Sequence, residues 1–469
     1  MLQKAVPNRQ IHYEVAALRE GRWLIECLRE AEAEAIDVAR MFLKLDGIEA
    51  VRVTRARSSP GDIVFETPVF EQSRPPQGKP ILRVSATDDQ DAWCDTLEDL
   101  YGGRSRRAIS QLLRSFLDQM GITATELLHN YRYGKKLDSM GSLRVAAAYK
   151  IAQARADQTG LALPMCSGVL EELIAAASGK ARDAMSMRGI PRLGEGGLDQ
   201  LIPACQRLVT DPVDQMFYVR HTLSRTLEPM ASLGERAQAV LEWRAGATTP
   251  AAQALIDEII SDCLGSGTLV QDMLGRQPDL GSALVTLTDL ARGQLATDPV
   301  AAPPWFAGLR QLLADQPCPE IRAVLIARVR RELAGDQPLN RGNESDMLRV
   351  LNQVTDKLKH EAEGIFIGGG GIVEGLVKRW AKLDVPGGIG DIKPPKGKPE
   401  ERYKALIEYE PTVYGDARKR AVATLMVDAL RDLPVTTRTG LADTAGAIQA
   451  SGLLPPARLL IARLLAGAS

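Results

Sequence analysis

Between residues 104 and 136 the chain gathers arginine and lysine near two helical segments, and that is the chemistry that meets phosphate. Arg104, Arg106, Arg107, Arg132, Lys135 and Lys136 lie in a stretch, 101–150, that holds nine basic residues and three acidic ones. Ile109, Leu112, Leu113, Phe116, Leu117 and Met120 form a helical stripe that ends at Gly121. Thr123, with Glu126 three residues on, has the capping-box spacing that opens a second helix. Helix, glycine turn and capped helix outline a helix-turn-helix, in which these cations would contact a nucleic-acid backbone. An ordinary αα-hairpin carries the same glycine and the same cap.

Gly368, Gly369, Gly370 and Gly371 make a second phosphate candidate, since a short apolar run precedes them and a helix follows. Val373 and Glu374 stand where the third glycine of a dinucleotide fingerprint belongs, and no Gly-Lys-Ser/Thr completes a Walker sequence. A close-packed turn between two helices would use the same glycines.

Metal and acid–base chemistry has less to draw on. His12, His129, His221 and His360 are far apart, and no HExxH or HxH spacing occurs. Only the fold could bring two of them together. Asp257, Glu258 and Asp262 form the densest carboxylate group, with Glu258 and Asp262 on one helix face. They fall off the apolar stripe and are expected to face water; catalysis there would need burial against a partner helix. Cys27, Cys94, Cys166, Cys205, Cys263 and Cys318 form no CxxC pair, and read as buried free thiols of a reducing cytoplasm. No metal or cofactor is expected.

Helices must position all of this. Aromatics are only 4% of the chain, and alanine and leucine dominate the apolar set, both strong helix formers. The clearest helix is Pro250–Leu264, with Ala252, Leu255, Ile256, Ile259, Ile260 and Cys263 in phase, proline at its first position and Gly265 as a left-handed cap. Similar stripes mark 279–291, 305–314 and 319–333, and 343–364 with His360 near its end. Such short helices gain stability by stacking rather than by propensity.

The expected fold is mainly α, an irregular multi-helical bundle or solenoid-like array, with a small N-terminal α+β module of order ββαββ over 1–73. A Pro-rich linker follows at 74–80, then a helical domain at 81–190 with the basic αα-hairpin. A central helical bundle at 205–335 and a C-terminal helical region at 343–469, with a Gly/Pro-rich loop at 383–398, complete the plan.

A net charge of −1 supplies no global field for nucleic acid or membrane. No uncharged apolar run reaches membrane-spanning length, and the N-terminus lacks the apolar core of a signal peptide. The first functional expectation is a cytoplasmic, non-enzymatic interaction, regulatory or scaffold protein whose helical surfaces bind another protein or a second copy. The second is a nucleic-acid-binding regulator using 104–136. The third is a nucleotide-binding protein or enzyme using the 368–371 loop.

Overall fold

The computed structural model describes residues 11–19, 22–45, 48–58, 64–73, 82, 84–85, 92–340, 342, 344–383 and 388–468. The chain divides into two compact units, Met1–Arg83 and Val84–Ser469. The expected linker, 74–80, lies outside the described residues.

The first unit follows the ββαββ order: β1 (Ile11–Arg19), β2 (Arg22–Arg29), α1 (Glu32–Leu43), β3 (Ala50–Ser58) and β4 (Val64–Ser73). The strands pair antiparallel in the order β2-β1-β3-β4. Alternation sends Val15, Ala17, Val51 and Val53 to one face, where they bury against Ala35 and Ala39 of α1. The other face is polar in its middle. There the Arg52 guanidinium lies 4.4 Å from the centre of the Trp23 ring and 2.8 Å from the Glu71 carboxylate.

The second unit is helical. Its first half holds α2 (Leu97–Tyr101), α3 (Gly103–Leu112), α4 (Arg114–Met120), α5 (Ala124–His129), α6 (Tyr131–Asp138), α7 (Leu143–Thr159), α8 (Leu163–Ser186), α9 (Gly197–Leu208) and α10 (Pro212–Leu227). Then come α11 (Leu233–Gly246), α12 (Pro250–Leu264), α13 (Gly267–Leu274), α14 (Leu280–Ala291), α15 (Phe306–Asp315), α16 (Pro319–Ala334) and α17 (Glu344–Lys357). A two-residue ladder, β5 (Lys359–His360) with β6 (Ile365–Phe366), leads into α18 (Gly370–Ala381), α19 (Pro399–Tyr409), α20 (Asp416–Arg431), α21 (Val435–Gly440), α22 (Ala445–Ala450) and α23 (Pro455–Leu465). The molecule is mainly α, as expected. One apolar core runs through this unit from Leu198 to Leu465, with Leu255, Ile256, Ile259 and Ile260 of α12 deep inside it. Among the described residues, no helix is long and apolar enough to cross a membrane.

Several local expectations change. The stripe 109–120 is not one helix: Leu113, at φ −101° and ψ 21°, separates α3 from α4. Gly265 is right-handed at φ −57°, so it is no left-handed cap. Its missing side chain serves packing instead, because a Cβ there would lie 2.9 Å from the Asp262 carbonyl oxygen and 3.4 Å from Ser110 Cβ of α3. The helix expected over 343–364 stops at Lys357, and His360 lies on β5 rather than near a helix end. Asp257 and Asp262, expected in water, are buried at 9% and 7% exposure, and Ser261 between them at 6%.

Candidate functional site

That last correction opens onto a buried cluster of ionisable side chains around α12. α12 has neighbours on most of its circumference, so its polar face meets other helices rather than solvent. Asp262 accepts hydrogen bonds from Arg106 Nε at 3.0 Å and from Thr125 Oγ1 at 2.5 Å. Glu258, one turn away, takes Arg106 Nη2 at 2.9 Å and Arg220 Nη2, from α10, at 2.9 Å. Arg106 also donates through Nη1 to the Tyr101 carbonyl at 2.5 Å. Burial works against the charge on Arg106, but the carboxylates of Asp262 and Glu258 outweigh it and raise its pKa. Arg220 is less well served: burial, then the neighbouring Arg106 charge, lower its pKa.

Two more buried pairs flank this one. Glu126, fully buried on α5, caps its own helix by accepting from the Thr123 amide at 3.0 Å and also takes Arg236 Nε of α11 at 2.9 Å. Arg244 of α11 donates to Asp257 at 2.7 Å. Arginines and carboxylates therefore match across the helix contacts, as buried charge requires.

The fold also brings two histidines together across 92 residues of sequence. His129 donates through Nδ1 to the Thr125 carbonyl at 2.8 Å, and His221 does the same to the His129 carbonyl at 2.8 Å. Each bond fixes the tautomer, so Nε2 is the bare nitrogen on both rings. Both residues are fully buried, and among the described residues neither Nε2 has a hydrogen-bond partner. Phe217 lies between them, 5.2 Å from the His129 ring and 6.1 Å from that of His221, with Tyr101 4.8 Å from His129. Burial, and then the Arg220 charge, push the His129 pKa well below its usual value; burial lowers that of His221 as well.

The basic candidates separate into two groups. Arg106, at 1% exposure, has no surface to offer a phosphate. Arg107 pairs with Glu320 at 2.9 Å and exposed Arg132 with Glu228 at 2.6 Å. Arg104, Lys135 and Lys136 are exposed. The capping box at Thr123 and Glu126 forms as the spacing predicts, yet α5 behind it buries Ala124, Thr125, Glu126, Leu127 and His129. A groove-reading helix would need that face. Any test of nucleic-acid binding therefore has to spare Arg106 and vary Arg104, Arg132, Lys135 and Lys136.

At the glycine cluster, Gly368 and Gly369 take positive φ of 79° and 70°, and Gly370 begins α18. The Gly370 amide donates to Asp428 Oδ2 of α20 at 2.5 Å. An internal carboxylate thus holds the position at the helix N-terminus that a phosphate would take. A Cβ on Gly369 would approach that carboxylate to 2.8 Å, which accounts for the glycine by packing.

All six cysteines are free, five of them buried and Cys27 partly so. Among the described residues, no three histidine, cysteine or acidic side chains are grouped to hold a metal ion. The residues that sequence reasoning missed are Tyr101, Thr125, Arg220 and Arg236; His129 and His221 were named there, but their meeting was left to the fold. One signal pointed toward them: Arg106 falls three and seven residues before Ile109 and Leu113, in phase with the apolar stripe. Neither family models, curated proteins nor solved structures match this chain.

Proposed function

We propose that the chain is a cytoplasmic, non-enzymatic interaction or regulatory protein that binds another protein through a helical surface, the α7–α8 hairpin. One observation carries this reading: large apolar side chains stand in water on that hairpin. Val145 and Tyr149, one turn apart on α7, are 55% and 50% exposed, and Leu161 and Met165, at the hairpin tip, are 44% and 60% exposed. Met185 and Met187 at the far end of α8 are 40% and 37% exposed. Methionine and tyrosine suit such contacts, because one adapts its shape and the other adds a polar handle to a large apolar body. The interior ion pairs favour the same reading, since their charges are directed at each other.

The test introduces two carboxylates on the hairpin. Tyr149→Glu with Met165→Glu should leave the melting temperature within about 2 °C, as expected for exposed positions away from structural features. The same variant should lose a specific protein partner captured by the parent, or lose self-association in sedimentation if the partner is a second copy. Identical partners and identical oligomeric state in parent and variant would end the proposal.

A further inference from the structure

Behind the same hairpin lies a cavity of about 140 Å³ that the reading above does not use. Its walls come from α2, α3, α5, α6, α7 and α8, with Ala92 and Cys94 ahead of them. Small residues create it: Ala108, Gly134, Ala147, Ala148, Ala177 and Ala181 line it from four different helices. Leu112, Leu127, Ile151 and Leu170 supply the larger apolar surface. A Cβ built on Gly134, one of the lining residues, would meet nothing within 4 Å. Protein interiors pack to crystal density and hold few voids larger than a water molecule. An apolar cavity of roughly 150 Å³ stays dry and admits benzene.

The rim is different in kind. Tyr131, Asp138 and Arg144 line it, and Asp138 and Arg144 pair at 2.9 Å while remaining 41% and 40% exposed. Among the described residues, Arg144 is the one cation of the lining, and its guanidinium has more donors than one carboxylate can take.

We propose that this cavity is a binding site for a small anionic amphiphile. The ligand is a monocarboxylate with an alkyl or aryl body of about six carbons, matched to the volume. Its body lies among the alanines of α7 and α8. Its carboxylate meets Arg144 at the rim, in a charge-assisted hydrogen bond that competes with Asp138. This stands independently of the protein-interaction reading, since the cavity is internal to the hairpin's packed face and the proposed contact lies on its outer face.

Thermal shift and titration calorimetry on the full chain with hexanoate, benzoate, hexanol and hexylammonium decide it. Hexanoate and benzoate should raise the melting temperature saturably, hexanol less, and hexylammonium least. Arg144→Gln should weaken hexanoate about tenfold and leave hexanol unchanged, the size expected for loss of a charge-assisted hydrogen bond. Gly134→Leu should fill the space and abolish binding of all of them; Ala148→Leu, on α7, should do the same if the first variant folds poorly. Absence of any saturable shift overturns the proposal. So does a folded cavity-filling variant that binds hexanoate as the parent does, or an Arg144→Gln variant that loses hexanol and hexanoate equally.

Discussion

Asp262→Ala should destabilise the second unit by about 3–5 kcal/mol, the usual loss when one partner of a buried ion pair is removed. Arg106 would keep its charge at 1% exposure with a single carboxylate left, Glu258, which it shares with Arg220. Thr125 would also lose its acceptor, which now lies at 2.5 Å. Asp262→Asn should cost less, because an amide oxygen still accepts from Thr125 or Arg106. Combining Asp262→Leu with Arg106→Met should recover much of the loss, since apolar replacement of a whole buried pair is often neutral or better. Urea denaturation at constant slope measures all three. A loss below about 1 kcal/mol for Asp262→Ala would show that water reaches Arg106, and the buried-pair account would fall.

The same helix shows where sequence reasoning reaches and where it stops. The apolar stripe of α12 was legible because Leu255, Ile256, Ile259 and Ile260 recur at helical spacing, and the helix forms with the expected bounds, Pro250–Leu264. Burial of its other face was not. Periodicity sends charged residues to water by default, and it has no view of arginines arriving from α3, α10 and α11. Arg106 lies 156 residues from Asp262, and the pairing exists only because α3 packs against α12. The N-terminal module was legible for a simpler reason. Alternation in β1 and β3 assigns Val15, Ala17, Val51 and Val53 to one face whatever the rest of the chain does. The glycine cluster illustrates a third case. Its local geometry was readable as a turn before a helix, whereas the occupant of the helix N-terminus, Asp428, comes from α20. The cavity was invisible for a related reason. Alanines on α3, α7 and α8 read as good helix formers, and only their mutual facing turns small side chains into empty space.

The histidine pair makes stability fall as the solution is acidified. His129 and His221 are neutral inside the fold, with pKa values lowered mainly by burial. Their surroundings oppose protonation as well. Arg220 and Arg106 act on His129, Arg225 acts on His221, and Lys180 lies 5.0 Å from the Phe217 ring centre between them. In the unfolded chain both titrate near pH 6.5. Above that value neither state binds the protons, so the pair adds no pH dependence. Below it the unfolded state binds protons that the folded state refuses, so unfolding becomes easier with each step toward acid until the lowered folded pKa values are reached. The limiting slope is about 1.4 kcal/mol per pH unit for each histidine, about 2.7 for the two. His129→Asn with His221→Asn keeps a side-chain N–H near each Nδ1 position and removes the titration. The double variant will be less stable at pH 7 because each ring leaves a gap. Its stability should nevertheless change much less than the parent's between pH 7 and pH 5, and His221→Asn alone should remove the smaller share of the difference, because His129 is the more strongly shifted of the two. Urea midpoints across that window provide the comparison. Parallel profiles for parent and double variant would mean that both rings accept protons in place, and the neutral, buried state described for this pair would be wrong.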